Sequence, residues 1–587
     1  MSARLRLVVF TAGPLAPVNR VFYERLAGDP QLDLRAIVVD DYVRPRQPLW
    51  RRLRRGVQQD GWRWLWFKAV TTGEALVRRF ALALFDRMHA PRGEESYDAL
   101  STRTGAAVHH VADIHGEDSL ALIRSLRAQL GVIVGGRILR DAVISIPEYG
   151  TLNIHKRKVP DYRGGGPVGY WEVLAGEKSI GVTIHYATAR VDAGDVVAEA
   201  TLPIEECDTI ESLRIKADLA GARLYHEAIR TVAGGRREGT PQDPQQGCTY
   251  KAPSEFRAWQ LERRLRRQGA RRMPMLSGRP GRLVQMRVLL QYALVTPLLL
   301  WWRRRLQRQR RAPVCILFYH LVANRPLNHM CLPLEEFVRQ MEFLCRYFPV
   351  VSLGEAAGRM ARGEGDEVAV AVTFDDGYRD NVWAIEYLRY FRIPACFFVS
   401  IGHVLDGSSF EHDRRRGFDG ALPLREADLR QLAAQGFEIG SHGVHHEDFG
   451  TLDAETAERV LSESRRLIGQ VTGCLPDHFS FPKGQPGANI TSESFAAAVR
   501  HYPHVYSAYG GYNIPGARNG PHLLRVCGPA DVLELAAILD GYTGLRHCIS
   551  GDTWGFRTSA LAPYMARTEA GPRAAPRLGR LLPRNGR

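Results

Sequence analysis

Short apolar runs alternate with amphipathic segments along two separate stretches of the chain. In the first, Leu5–Phe10, Leu34–Val39, Gly131–Val134 and Val182–Tyr186 are too short for helices and rich in branched residues, which predicts buried strands. Ser119–Leu130 and Glu211–Ala233 repeat apolar residues at intervals of three and four, which predicts helices. The second stretch repeats the pattern, with strands expected at Val314–Phe318, Val368–Phe374, Ala395–Val399 and Phe437–Gly440. Such alternation predicts two domains of α/β class.

A different pattern lies between them. The apolar run Val288–Trp302 follows Arg287 and precedes Arg303, Arg304 and Arg305. From Leu261 to Arg311 there are 15 Arg against the single acid Glu262, so this stretch holds most of the formal net charge of +16. Fifteen helical residues span roughly 22 Å, short of the ~30 Å hydrocarbon core of a bilayer, and Pro297 interrupts them. The composition predicts shallow insertion of residues 279–311 at an anionic membrane face rather than a crossing. A helix packed between two domains is the alternative. The basic aromatic segment Trp50–His89 reads either as a second interfacial patch or as a helix of the first domain.

Length and composition narrow the class. A chain of 587 residues exceeds one ordinary domain, and 45% hydrophobic with 24% charged residues excludes wholesale disorder, a collagen-like fibre and a polytopic membrane protein. Nine cysteines form no C-x-x-C pair, which argues against a zinc ribbon or a disulfide scaffold. The apolar run at the N-terminus is too short for a signal peptide, so a cytoplasmic protein is expected, peripheral on the inner membrane face. The expected organisation is a first domain at 1–250, an Arg-rich linker at 251–312, a second domain at 313–545 and a disordered basic tail at 546–587.

Candidate chemistry in the first stretch centres on Asn153-Ile154-His155, the glycine-rich Tyr162–Pro167 and Asp192-Ala193-Gly194-Asp195. An Asn and a His two apart on a strand share a face, and a later carboxylate can orient the imidazole or take up its proton. Together with Gly131–Val134, Gly136–Leu139, Gly150–His155, Tyr162–Gly164 and Gly181–His185, these motifs resemble the 10-formyltetrahydrofolate-dependent formyltransferases, which include methionyl-tRNA and glycinamide ribonucleotide formyltransferases. The resemblance covers most of residues 1–250 and implies a Rossmann-like fold. It also implies Asn153, His155 and Asp195 as a catalytic trio, and a folate pocket at the backbone of Gly136, Ile138 and Leu139. Lys156-Arg157-Lys158 departs from the tRNA enzymes, and the basic linker stands where their tRNA-binding barrel would follow. Amino-sugar formyltransferases are therefore the nearer comparison.

In the second stretch, Val368–Phe374 ends in Asp375-Asp376-Gly377, and Ser441-His442-Gly-Val-His445-His446 follows a later strand. Histidines four apart are expected on one face of a helical turn, where they can share a metal. Thr373–Gly377, Ser441–His446, Phe481-Pro-Lys-Gly484 and Phe318-Tyr-His320 resemble the NodB-type polysaccharide deacetylases over about residues 313–530. That resemblance implies a distorted (β/α)-barrel, with Asp375 as general base and Asp376, His442 and His446 holding Zn2+ or another divalent metal. A backbone N–H near Lys483 would hold the oxyanion. Ser480 stands where many members carry an Arg that holds the base, and His320, His329 and His522 are the candidate general acids.

One centre exposes an amine and the other consumes one. The combination implies a bifunctional enzyme that deacylates an amino sugar and formylates the amine, with 10-formyltetrahydrofolate as donor and a nucleotide- or lipid-linked sugar as substrate. Formylation followed by deformylation of a lipid-linked sugar is the alternative order. A basic nucleic-acid-binding protein, or a membrane scaffold with inactive domains, is the competing class, although no nucleic-acid partner is expected.

Overall fold

The computed structural model describes residues 4–43, 48–93, 96–243, 245–273, 275, 282–485, 487–508, 510–516 and 522–542. The tail expected at 546–587 lies outside them. Two compact units form: Met1–Gly278 with Val322–Arg339 and Val382–Arg392, and Arg279–Leu321 with Gln340–Asn381 and Ile393–Arg587.

The first unit is built on β1 (Leu5–Ala12), β2 (Leu32–Asp40), β3 (Ala107–Val111), β4 (Leu130–Val134), β5 (Thr151–His155), β6 (Tyr162–Gly164), β7 (Ser179–Tyr186), β8 (Val196–Pro203) and β9 (Cys248–Tyr250). Seven of them form one sheet in the order β3-β2-β1-β4-β5-β7-β8, parallel as far as β5 and antiparallel beyond. Alternate residues of β1 serve two cores, as the strand period requires. Leu7 and Val9 pack with Phe22, Leu26 and Ile229 on one face, and Val8 and Phe10 with Leu120 and Ile123 on the other. The expected helix Ser119–Leu130 is shorter, Glu117–Ser125. Arg127 takes a positive φ of 47°, which turns the chain so that Leu130 enters β4 opposite Leu7.

The second unit is an eight-stranded parallel sheet. Its order is His522–Leu524, His504–Ser507, His478–Ser480, Glu438–Ser441, Cys396–Val399, Ala369–Phe374, Val314–Tyr319 and Val526–Cys527. Only Arg525 separates the two edge strands in sequence, so the sheet curls into a nearly closed barrel.

Helix Arg282–Arg308, part of this unit, accommodates Pro297, and its Leu299, Leu300 and Leu306 are buried. Leu290, Leu294, Leu298 and Trp301, spaced by three and four, form an exposed stripe, with Leu294 72% exposed. Arg303, expected to flank the run at lipid headgroups, is instead buried and donates to Asp540 at 2.8 Å. A charge inside the unit is retained because it is paired. Among the described residues no helix is long and apolar enough to cross a membrane.

Two candidate catalytic centres

The first centre lies at the C-terminal end of β5, beside the point where the parallel sheet gives way to antiparallel strands. Asn153 pairs in register with His185 of β7, and its Nδ2 lies 3.2 Å from His185 Nε2. Asp192 completes the cluster. Its Oδ2 accepts from Gly164 N–H at 3.0 Å and lies 3.4 Å from His155 Nδ1, while its Oδ1 is 3.5 Å from Asn153 Nδ2 and His185 Nε2. His155 Nε2 donates to the Tyr162 carbonyl at 2.8 Å.

Burial lowers the His155 pKa below the ordinary imidazole value despite the pull of Asp192 and of the Tyr162 carbonyl, which keeps the ring neutral at neutral pH. Burial pushes the Asp192 carboxyl up, but the contacts with the His185 side chain and the Gly164 N–H, with the neighbouring His155 imidazole, outweigh it and hold the group below the usual carboxylate range. A neutral imidazole beside an anionic carboxylate is an arrangement for accepting a proton.

The structure brings Asp192 to this pair where the sequence reading named Asp195. Asp192 adopts φ +51°, and the turn is so tight that a Cβ on Gly194 would come within 1.9 Å of the Tyr186 carbonyl. The turn directs Asp192 inward and leaves Asp195 exposed. Gly136, Ile138 and Leu139 lie in the loop after β4, where Gly136 takes φ +110° and Ile138 is 73% exposed. Arg137 anchors that loop by donating to Asp40 at 2.6 Å and to Asp113. Arg157, from the basic triplet, is buried and donates to the Pro167 carbonyl at 2.9 Å, so this departure secures the glycine-rich loop.

The second centre lies at the C-terminal ends of the barrel strands. Asp375 and Asp376 follow Ala369–Phe374, and His442 follows Glu438–Ser441. Asp376 Oδ1 lies 3.6 Å from His442 Nε2 and 3.4 Å from His446 Nε2. The three side chains offer ligand atoms within 4.8 Å of one another. His442 Nδ1 donates to the Ser480 carbonyl at 2.7 Å, which turns the Nε2 lone pair toward Asp376. Both Asp376 oxygens are buried without a hydrogen-bond partner among the described residues, and burial, then repulsion from Asp375 and Asp413, raises its pKa. Unpartnered carboxylate oxygens facing two imidazole nitrogens fit a divalent cation with Zn-type ligands.

The two histidines do not share a helical turn, as their spacing suggested. Residues 442–446 form a loop in which Gly443 takes φ +81° and His446 φ +61°. Asp376 and Lys483 also adopt positive φ, 69° and 59°, so strained non-glycine backbone gathers at this centre.

Asp375 is held by a residue the sequence reading did not single out. Arg525 donates to its two oxygens at 2.6 and 2.8 Å, to Ser480 Oγ at 2.5 Å, and stacks on Phe318 and Phe398. Burial pushes the Asp375 carboxyl up, but Arg525 outweighs it and keeps the group anionic. Two further side chains border Asp376. His412 Nε2 lies 3.7 Å from its Oδ2 and 2.9 Å from the Tyr378 hydroxyl, which donates to Asp413 at 2.8 Å. Of the candidate acids, His320 influences both Asp375 and His446 electrostatically. His522 is buried against Phe495 and Ser507, and burial lowers its pKa to about 4. His329 belongs to the first unit.

Comparison with known proteins divides along the same line. Residues 101–229 match the formyl transferase family and residues 362–501 the polysaccharide deacetylase family. The methionyl-tRNA formyltransferase of Parabacteroides distasonis is 32% identical over 153 residues, covering 26% of this chain and 46% of the relative. The chain thus spans less than half the length of the curated relatives it matches. Among solved structures, the Streptococcus pyogenes deacetylase PplD in complex with acetate aligns at a TM-score of 0.34 and 17% identity, over 39% of this chain and 99% of that one. The N-formyltransferase from Helicobacter canadensis in complex with folinic acid and dTDP-3-aminofucose aligns at 0.26 and 14%, over 42% and 70%. The chain therefore joins a Rossmann-like formyltransferase domain to a polysaccharide deacetylase domain in a nearly closed parallel barrel.

Proposed function

We propose that the chain is a bifunctional enzyme that exchanges the acyl group of an amino sugar, hydrolysing an N-acyl group at the second centre and formylating the freed amine at the first. The observation that carries this reading is the pairing of an Arg-held Asp375 beside the Asp376, His442 and His446 cluster with an Asn153, His155 and Asp192 cluster in one polypeptide.

At the second centre Asp376, His442 and His446 would hold Zn2+ or another divalent metal, which when bound polarises the acyl carbonyl and acidifies water. Asp375, held anionic and oriented by Arg525, removes a proton from the attacking water, and the acyl C–N bond then breaks as the leaving nitrogen gains a proton, which frees the amine. The neutral His442 and His446 suit ligation, and in this reading a backbone N–H near Lys483 meets the oxyanion. At the first centre the Asn153 amide donates to the formyl oxygen. As the amine bonds to the formyl carbon, the bond from that carbon to the donor nitrogen breaks; Asp192, with His155 oriented by the Tyr162 carbonyl, takes the proton that the attacking amine loses and returns it to the departing nitrogen. The donor in this reading is 10-formyltetrahydrofolate, seated against the Gly136–Leu139 backbone.

The exposed stripe Leu290, Leu294, Leu298 and Trp301 favours a second reading, in which the sugar is lipid-linked and is formylated first and deformylated later at the inner membrane face. Single-centre variants separate the two. With His442→Ala, acyl exchange stops at the N-acetyl sugar, whereas in the lipid-linked order formylated product accumulates. With Asn153→Ala, acyl exchange stops at the free amine. Loss of neither product with either variant contradicts both readings.

A further inference from the structure

Three helices of the first unit carry side chains that neither centre uses. Leu49–Asp60, Arg63–Met88 and Glu255–Arg272 are tied together by aromatic and ionic contacts. Phe67 packs on Phe256 and Trp259 at 5.5 and 5.3 Å between ring centroids, Trp66 meets Trp259 at 5.7 Å, and Arg257 reaches Asp60 at 3.3 Å. The outer side of this cluster combines two features that a surface facing only water does not need.

The first is charge. Arg263, Arg264, Arg267 and Arg271 line a trough of about 450 Å³ together with Trp259, Gln260 and Gln268, and among the described residues no acidic side chain lines it. Arg263, Arg267 and Arg271 are spaced i, i+4, an arrangement of like charges that destabilises an isolated helix. An anionic counterpart would relieve that repulsion. The second feature is exposed apolar area. Trp62 is 77% and Trp66 54% exposed, one helical turn apart, and the Arg263 guanidinium lies 5.5 Å from the Trp66 ring. The neighbouring helix repeats the composition, with Leu49, Trp50 and Leu53 exposed among Arg51, Arg52, Arg54 and Arg55.

We propose that this face of the first unit docks on an anionic phospholipid surface, with phosphate headgroups in the arginine trough and Trp62 and Trp66 at the interface. Guanidinium groups match phosphate oxygens in pairs, and Trp belongs at the boundary of water and acyl chains. The exposed Leu49 and Leu53 decide between a bilayer and a nucleic acid. Aliphatic side chains gain from burial among acyl chains and offer no stacking face to a base. The contact is independent of helix Arg282–Arg308 and of the sugar chemistry.

The test is co-sedimentation of the full chain with vesicles of phosphatidylglycerol and phosphatidylethanolamine, against vesicles of phosphatidylcholine alone. The expected result is salt-sensitive binding to the anionic vesicles only. Arg264→Glu/Arg267→Glu/Arg271→Glu weakens it by about tenfold or more, and Trp62→Ala weakens it severalfold, with unchanged circular dichroism and melting temperature. Arg267→Gln, a milder change, gives a smaller loss and serves if the triple variant does not fold. The same losses persist in a Leu294→Glu/Leu298→Glu background, where the stripe of helix Arg282–Arg308 is disabled. Vesicle binding that survives these substitutions overturns the proposal. So does a loss confined to binding of a DNA duplex, which would make the trough a nucleic-acid face.

Discussion

Arg525 grips Asp375 through two hydrogen bonds of 2.6 and 2.8 Å, from the one position that separates the edge strands of the barrel. Closure of the sheet is thus coupled to the placement of the base. Ser480 provides the seat, its Oγ accepting from the same guanidinium at 2.5 Å. The small side chain at 480 leaves room for an arginine that arrives from another strand.

Arg525→Ala leaves Asp375 buried and unpaired. Breaking such a pair costs about 3–5 kcal/mol, so the variant shows that loss in denaturant unfolding and releases no acetate from an N-acetyl sugar. Adding Ser480→Arg restores a guanidinium beside Asp375 and recovers part of both. A variant that keeps full deacetylation without Arg525 contradicts the assigned role.

Asp192 and Asp195 separate cleanly by substitution. Asp192→Asn removes the carboxylate that touches Asn153 and His155 and lowers the turnover of formyl transfer by about 10²–10⁴-fold. Asp195→Asn, on an exposed side chain, changes it by less than about threefold. Equal losses from both would place the functional carboxylate elsewhere.

Chelation discriminates between the centres. Asp376→Asn or His446→Ala lowers bound zinc from about one equivalent to near zero by elemental analysis, and chelator treatment abolishes deacetylation. Formyl transfer by the same chelated sample stays unchanged, because Asn153, His155 and Asp192 form no metal-type cluster among the described residues. Loss of both activities on chelation contradicts two independent sites.

Acid destabilises the second unit in a defined window. Burial lowers the pKa of His522 to about 4 and that of His478 to about 3, whereas an unfolded imidazole titrates near ~6.5. Above that value neither state holds the proton, and stability is complete. As pH falls below it the unfolded chain binds protons first, so stability declines from about pH 6.5 down to about pH 4 for His522, by roughly 3 kcal/mol, and down to about pH 3 for His478, by roughly 5 kcal/mol. His522→Gln flattens part of this slope in unfolding experiments run at several pH values, and an unchanged slope contradicts the assignment.

The parts of these centres that were readable in advance are those set by local periodicity. Asn153 and His155 share a face because a strand repeats every two residues, and Asp375 and Asp376 end a run whose burial is plain from its composition. Features set by turn geometry or by closure were not readable. Asp192 rather than Asp195 points inward because of one left-handed residue and the contact at Gly194. His442 and His446 meet across a loop, although the same spacing also fits a helix. Arg525 lies 150 residues from Asp375, and only the meeting of the first and last barrel strands brings them together. Arg303 illustrates the reverse error, since a residue in a basic cluster turned out to be buried on Asp540.

The most direct test of the central claim is mass spectrometry of nucleotide-linked N-acetyl amino sugars, and of the matching free amines, incubated with zinc-loaded protein with and without 10-formyltetrahydrofolate. Acyl exchange predicts loss of acetyl in both conditions and gain of formyl only when the folate is present, with the free amine formylated directly. Retention of acetyl together with failure to formylate any free amine would contradict it.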